Sequence, residues 1–196
     1  MPLGRQAKTL SRQQIVAVQA YLSSTRHPVR NRLIFLLSIR AGLRAKEIAG
    51  LTWSMVLTSD GSIADDLCVL DQASKGRSGR TVPMCRELKE ALEAWRQLRA
   101  NALPHDRVVR TERSEATSSQ VIINLFRSWY LRLGFIGCSS HSGRRTFITN
   151  AARRISMVGG SLRDVQALAG HSSLSTTQRY IEINADAKRK VVEFLI

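Results

Sequence analysis

Cysteine is scarce in this 196-residue chain, with only Cys68, Cys85 and Cys138. An odd, widely spaced set offers neither a disulfide framework nor a Cys-based metal motif, so a reducing compartment is expected. Long apolar runs are missing too. The longest, Leu33–Leu37, is far too short to cross a bilayer. The opening Met-Pro-Leu-Gly-Arg-Gln is not followed by the apolar core of a signal peptide. No internal repeat or low-complexity linker divides the chain. Acid is in short supply: 15 Asp plus Glu face 30 Lys plus Arg, a net charge of +15. Lysine is scarce as well, with 6 against 24 arginines. These shortages argue against a membrane protein, a secreted disulfide scaffold and a cysteine-based zinc module. With 43% hydrophobic and 23% charged residues, the chain reads as one soluble, basic, cytoplasmic domain. Arginine presents a planar fork of donors that fits phosphate oxygens, so a polyanionic partner is expected.

Apolar spacing predicts a mainly α fold with a small antiparallel β-sheet. Residues 1–10 carry Arg5 and Lys8 without an acid and read as a loose basic tail. Ser11–Leu22 follows as a helix with Ser11 as N-cap. Asn31–Ala41 is apolar enough for a buried helix, which Gly42 would stop. Ala45–Leu51 reads as a short helix. Asp66–Asp71 and Thr81–Met84 are β-prone runs around a basic, Gly-rich turn, Lys75-Gly76-Arg77-Ser78-Gly79-Arg80, and read as a hairpin. Glu87–Arg99 places Leu88, Ala91, Leu92, Trp95 and Leu98 on one helical stripe. Helices are also expected over Ser118–Leu133, Ser142–Ile155 and Ser161–Ala169, the last opened by a near capping box, Ser-Leu-Arg-Asp. Asn184 would cap a final helix carrying Val191, Val192, Phe194 and Leu195.

Four segments hold the candidate chemistry: Gly42-Leu43-Arg44-Ala45-Lys46-Glu47-Ile48, the Lys75 turn, His141-Ser142-Gly143-Arg144-Arg145, and Leu168-Ala169-Gly170-His171 continuing to Tyr180. Taken singly, each residue has a plain structural reading. Arg44 is then a solvated cation, Lys75 a mobile surface charge, His141 a helix cap, His171 a loop residue and Tyr180 a core or rim tyrosine. His141 and Arg144, three apart at a helix start, share a face beside free N–H groups that suit a phosphate. Together, two Arg, two His, a Lys and a Tyr form a set that can cut a phosphodiester without metal. A tyrosine hydroxyl, with a reference pKa of about 10, needs a base, and a histidine near ~6.5 can serve. Two guanidiniums can clamp the phosphorane oxygens, and a lysine can protonate the leaving 5′ oxygen.

These motifs, in this order and spacing, resemble the tyrosine recombinases, also called the phage-integrase family. The likeness runs from about Thr9 to Ile196. It includes Lys75-Gly with Arg-Thr-Val-Pro83, and His171-Ser-Ser-Leu-Ser-Thr-Thr-Gln-Arg-Tyr180. The resemblance implies the catalytic-domain fold of DNA breaking-rejoining enzymes over residues 11–196. It implies Tyr180 as nucleophile, forming a 3′-phosphotyrosyl bond and freeing a 5′ hydroxyl. Arg44 and Arg144 would bind the scissile phosphate, and Lys75 would be the general acid. His141 would be base or proton relay, and His171 would hydrogen-bond the phosphate or support the tyrosine. It also implies a site-specific recombinase that needs no metal, ATP or other cofactor. The expected partner is double-stranded DNA, on which a homotetramer would assemble with C-terminal segments docked between protomers. The site of action would be the nucleoid.

Three departures stand out. A separate N-terminal core-binding domain is not expected, since only some ten residues precede the catalytic part. Gly143 stands where Leu is common, which should alter packing and spare the chemistry. Ala169 stands where a second Leu is common, a trimming of the core that costs on the order of a few kcal/mol if left as a cavity. Arg77, Arg80, Arg145, Arg153, Arg154 and Arg179 are the expected DNA-backbone contacts, which position a duplex without reading its bases. Three other readings compete. One is a type IB topoisomerase-like activity. Another is a DNA-binding remnant or accessory factor that no longer cuts. The third is a metal nuclease built on Asp65, Asp66 and Asp71, whose placement has no ligand-spacing logic.

Overall fold

The structure is a computed structural model and describes residues 7–70, 79–112, 114 and 116–180. Lys75, Arg77, Asp71 and the expected final helix lie outside the described residues. In chain order come α1 (Arg12–Ser23), α2 (Pro28–Arg40), α3 (Ala45–Gly50), β1 (Asp66–Val69), β2 (Arg80–Pro83), α4 (Arg86–Gln97), α5 (Ser119–Arg132), α6 (Ser142–Arg154), α7 (Leu162–Ala169) and α8 (Leu174–Gln178). Single 3₁₀ turns at Trp53–Met55 and Ile155–Val158 join neighbouring elements. The two strands pair antiparallel, with Asp66 opposite Pro83 and Val69 opposite Arg80. The expected mainly α architecture with one small antiparallel sheet is what forms.

Helix α2 is the central post. Leu33 to Ile39 are buried without interruption, so no face of this stretch reaches water. It starts one turn earlier than apolar spacing suggested. Pro28 takes the first helical position, where its missing N–H costs nothing. It ends at Gly42, whose φ of +64° is left-handed, and the Leu43 N–H returns to the Leu37 carbonyl (3.1 Å). A Cβ at Gly42 would sit 2.5 Å from the Phe147 ring. Conformation and packing therefore both demand glycine there.

Around α2 lie α1, α3, α4 and α6, and α5 packs on α3. On α1, the Ser11–Gln14 capping box forms, and Val18 and Leu22 face the core. On α4 the stripe is shorter than expected. Leu88, Ala91 and Leu92 are buried, but the helix stops at Gln97 and Leu98 is 65% exposed. On α5, Ile122, Phe126, Trp129 and Tyr130 are buried. The basic tail is not loose throughout. Leu10 is in the core, its N–H donating to Thr146 Oγ1 (2.8 Å), and the Lys8 N–H donates to the Gly137 carbonyl (3.0 Å). One apolar side chain and two backbone bonds outweigh the local lack of order that composition suggested.

A second, smaller cluster lies off the main core. Ile148 of α6 with Val165 and Ala169 of α7 form it, and Tyr180 packs against its edge. The expected Ser161–Asp164 capping box opens α7. Gly170 closes it at φ +60°, with the His171 N–H reaching the Gln166 carbonyl (3.2 Å).

Gly143 lets α6 approach α2. A Cβ there would lie 2.3 Å from Ser38 Oγ and 2.9 Å from Ser38 Cβ. Gly143→Ala is therefore expected to destabilise the protein by about 1–3 kcal/mol, since two helices must separate. A urea titration that leaves the midpoint unchanged would refute this contact as a constraint.

Candidate functional site

The ends of several elements converge on one cleft of about 510 Å³. Arg44 precedes α3, His141 and Arg144 open α6, His171 follows α7 and Tyr180 follows α8. All five line the cleft, together with Arg145 and Arg179, and none of its lining among the described residues is acidic. A concave, cationic, partly buried surface of this kind favours an anion. Lys75 belongs to the same expected set but lies outside the described residues.

Arg144 is held by the backbone. Its Nη1 donates to the Gly42 carbonyl (2.6 Å) and its Nη2 to the Ala169 carbonyl (2.5 Å). Those are the carbonyls of a helix stop and of the last residue of α7, so the turn after α2 and the end of α7 share one guanidinium. Only 4% of Arg144 is exposed. Burial above all, then the charge of Arg44, lowers its pKa to about 9, which still leaves it charged at neutral pH. A phosphate in the cleft would relieve that crowding of like charge. Ala169 thus has a role besides packing: it is fully buried, and its carbonyl anchors Arg144.

Arg44 is held by a carboxylate. Glu47 accepts from the Arg44 backbone N–H at Oε2 (2.9 Å) and from Arg44 Nη1 at Oε1 (2.6 Å). The Arg44 side chain remains 27% exposed toward the cleft, whereas Glu47 is 1% exposed. Arg80 closes the other side of the carboxylate, with Nη1 at 3.0 Å from Oε1 and Nη2 at 2.9 Å from Oε2. Burial pushes the Glu47 carboxyl up, but hydrogen bonds and charge from Arg80, then Arg44, outweigh it and bring the pKa down to about 2.

This corrects one expectation. Arg80 does not lie on the surface to meet a DNA backbone. Its side chain is 4% exposed and its three nitrogens go to Glu47 and to the Leu168 carbonyl (2.9 Å). Sequence reading also missed Glu47 as the hub of the site, although it stands in the Gly42–Ile48 motif. The available signal was an acid three residues after Arg44 in a chain where acids are few. Because the Glu47 pKa is depressed, its stabilisation is complete above the unfolded value of 4.5 and fades as pH falls toward about 2. The amount at stake is on the order of 3 kcal/mol. Urea unfolding between these pH values is expected to show a loss that Glu47→Gln does not share; parallel curves would refute it.

The two histidines are neutral at neutral pH. Burial first, then Arg144 and Arg44, lowers the His141 pKa from its ordinary value. The same causes, with Arg80 added, bring His171 down to about 4. His141 makes no side-chain cap on α6, so its ring is available to the cleft. His171 Nδ1 pairs with Thr177 Oγ1 (3.0 Å). With Thr177 donating, Nε2 keeps its hydrogen and can donate to a phosphate oxygen. The His171 and Tyr180 rings stack at 5.6 Å and 25°, and the Arg145 guanidinium lies 5.9 Å from the Tyr180 ring centroid.

Of the remaining expected DNA contacts, Arg179 is exposed at the cleft rim, and Arg153 and Arg154 are exposed at the end of α6. The latter two line a separate groove with Arg12 and Arg40. Asp65 is paired with Lys89 (2.8 Å). Among the described residues no group of three or more His, Cys, Asp or Glu is placed to hold a metal ion. No helix among them is long and apolar enough to cross a membrane.

Residues 8–187 match the model of the family described as the phage integrase family. Tyrosine recombinase XerA of Thermococcus onnurineus is 31% identical over 187 residues, 95% of this chain and 62% of that protein. Tyrosine recombinase XerC of Haemophilus influenzae is 31% identical over 179 residues, 90% of this chain and 57% of that protein. The chain thus spans less than two thirds of the length of these relatives. Among solved structures, that of XerA recombinase superposes with a TM-score of 0.72 at 24% identity, covering 97% of this chain and 64% of that one. XerH site-specific recombinase bound to its difH substrate in a pre-cleavage complex gives 0.72 at 17%, covering 100% and 56%. At these identities the superpositions establish a shared fold.

Proposed function

Because the chain belongs to the phage integrase family, we propose that it carries the catalytic machinery of a site-specific tyrosine recombinase. The observation that carries this reading is the convergence of Arg44, His141, Arg144, His171 and Tyr180 on one cationic cleft. The substrate is double-stranded DNA. Arg44 and Arg144 grip the scissile phosphate, one steered by Glu47 and the other by two backbone carbonyls. The Tyr180 hydroxyl oxygen attacks phosphorus, and its proton passes to neutral His141. A 3′-phosphotyrosyl bond forms and the bond to the 5′ oxygen breaks. Lys75 returns a proton to that oxygen. The bond energy is kept in the phosphotyrosine, so no ATP is consumed. Attack by a 5′ hydroxyl from a second duplex reverses the chemistry and joins new partners.

The partners are two DNA sites held by four copies of the chain, with C-terminal segments docked between neighbours. Arg77, Arg145, Arg153, Arg154 and Arg179 contact the sugar-phosphate backbone in this reading. Each neutralised phosphate steepens the salt dependence of binding by a slope of about −0.9. The deciding experiment incubates the protein, in EDTA, with labelled duplex from its own genomic neighbourhood and separates the products on a denaturing gel. A covalent protein–DNA band followed by recombinant products supports the reading. Supercoil relaxation without recombinants points to a topoisomerase instead. Tight, salt-sensitive binding of the true site with no band points to a protein that binds and does not cut.

A further inference from the structure

We propose that Arg80 is a positioning residue for strand cleavage, fixing the Glu47 carboxylate that in turn aims Arg44 at the scissile phosphate. The role in cleavage rests on the recombinase reading above. Arg80 sits deep beneath the cleft and does not line it. Each Glu47 oxygen accepts one hydrogen bond from Arg80 and one from Arg44: Oε1 at 3.0 and 2.6 Å, Oε2 at 2.9 and 2.9 Å. The carboxylate is therefore saturated and cannot rotate without losing bonds on both sides. Such forked pairing sets an orientation as well as a charge.

Arg80 also ties together three parts of the site. It is the first residue of β2, so it emerges from the same Gly-rich segment that carries Lys75. Its Nε donates to the Leu168 carbonyl, next to the Ala169 carbonyl that holds Arg144. One guanidinium thus connects β2, the Glu47 carboxylate and the end of α7.

The arrangement has a chemical consequence. Glu47 is 1% exposed, and a buried carboxylate stays ionised only while paired. Among the described residues the cations around it are Arg44 from its own helix start, Arg80 from β2 and Arg144 from α6. Arg44 is partly solvated and Arg144 is committed to two carbonyls. Removing Arg80 leaves Arg44 as the one direct cationic partner among the described residues, and burial then drives the Glu47 pKa upward. Once protonated, Glu47 no longer attracts Arg44, and the phosphate loses one arm of its clamp.

The test compares single-turnover adduct formation on labelled duplex between about pH 5 and 8 for wild type, Arg80→Gln, Arg80→Lys and Arg80→Gln/Glu47→Gln. Arg80→Gln is expected to gain an acidic limb absent from wild type, its rate falling about tenfold per pH unit below the new Glu47 pKa. The double variant, with nothing to protonate at position 47, is expected to be slow but free of that limb. Arg80→Lys keeps a cation on Glu47 and is expected to follow the wild-type profile at a reduced rate. Arg80 is one of the charges that lower the His171 pKa, so His171 shifts in both Arg80→Gln and the double variant, and the comparison of those two isolates the Glu47 limb. A uniformly slower Arg80→Gln with the wild-type profile overturns the proposal and leaves Arg80 a structural residue. If Arg80→Gln does not fold, Arg80→Lys decides: an acid limb there overturns the proposal, while slowing with the wild-type profile and an unchanged unfolding midpoint supports it. Glu47 titration is also read without DNA, from the pH dependence of urea unfolding. A wild type that forms no adduct at any pH overturns the recombinase reading and the cleavage role, while unfolding still reports whether Arg80 fixes Glu47.

Discussion

Tyr180→Phe is expected to eliminate the covalent protein–DNA adduct and to leave DNA affinity within about a factor of two. The substitution removes one hydroxyl and little else. The phenyl ring can keep its stack on His171, its contact with Arg145 and its packing against the Ile148–Val165–Ala169 cluster. Arg44 and Arg144, which would carry phosphate affinity, have anchors that do not involve the tyrosine. Binding and chemistry should therefore separate cleanly. Affinity is measured on the duplex by a salt titration, and the adduct on a denaturing gel in EDTA. Cleavage by the phenylalanine variant would remove Tyr180 as nucleophile. A large loss of affinity would show that the hydroxyl helps to hold DNA in the ground state.

Arg144→Ala is expected to slow adduct formation by more than about a hundredfold, the equivalent of at least ~3 kcal/mol. Two losses combine. The pentacoordinate phosphorane forfeits a charged donor where its negative charge builds up. The Gly42 and Ala169 carbonyls also lose the guanidinium that bridges them, so the Arg44 turn and the His171 loop keep only the tie through Glu47, Arg80 and the Leu168 carbonyl. Arg144→Lys restores a charge but not the fork, since one ammonium cannot match the planar geometry that meets both carbonyls. It is expected to fall between wild type and alanine. Rates near wild type in either variant, with binding intact, would refute the assigned role. Thermal unfolding of each variant separates the structural loss from the chemical one.

Much of this site was legible along the chain because its chemistry is local in sequence. The Gly-Leu-Arg turn follows a helix stop, the His141–Arg144 pair opens a helix, and His171 and Tyr180 lie nine residues apart. Capping at Ser11 was equally local, since a hydroxyl and an N–H three residues away decide it, and so was the start of α7, where the Asp164 carboxylate accepts from the Ser161 N–H. Arg80 and Glu47 were not legible in the same way. An arginine in a basic Gly-rich run has the sequence signature of a solvated cation, and only the return of β2 beneath α3 buries it against a carboxylate 33 residues away. Gly143 was likewise visible only as a departure, until the Ser38 hydroxyl was found facing it.

By itself, the sequence determined the periodic elements, the basic character and the set of reactive side chains, because propensity, capping and net charge depend on neighbours in the chain. Among the described residues, the tertiary structure decided which arginines reach the cleft and which lie beneath it. Arg44 opens to the cleft, Arg144 is pinned by two carbonyls and Arg80 is sunk below. Burial and the identity of a distant partner make that distinction, and both depend on how helices and hairpin meet in space.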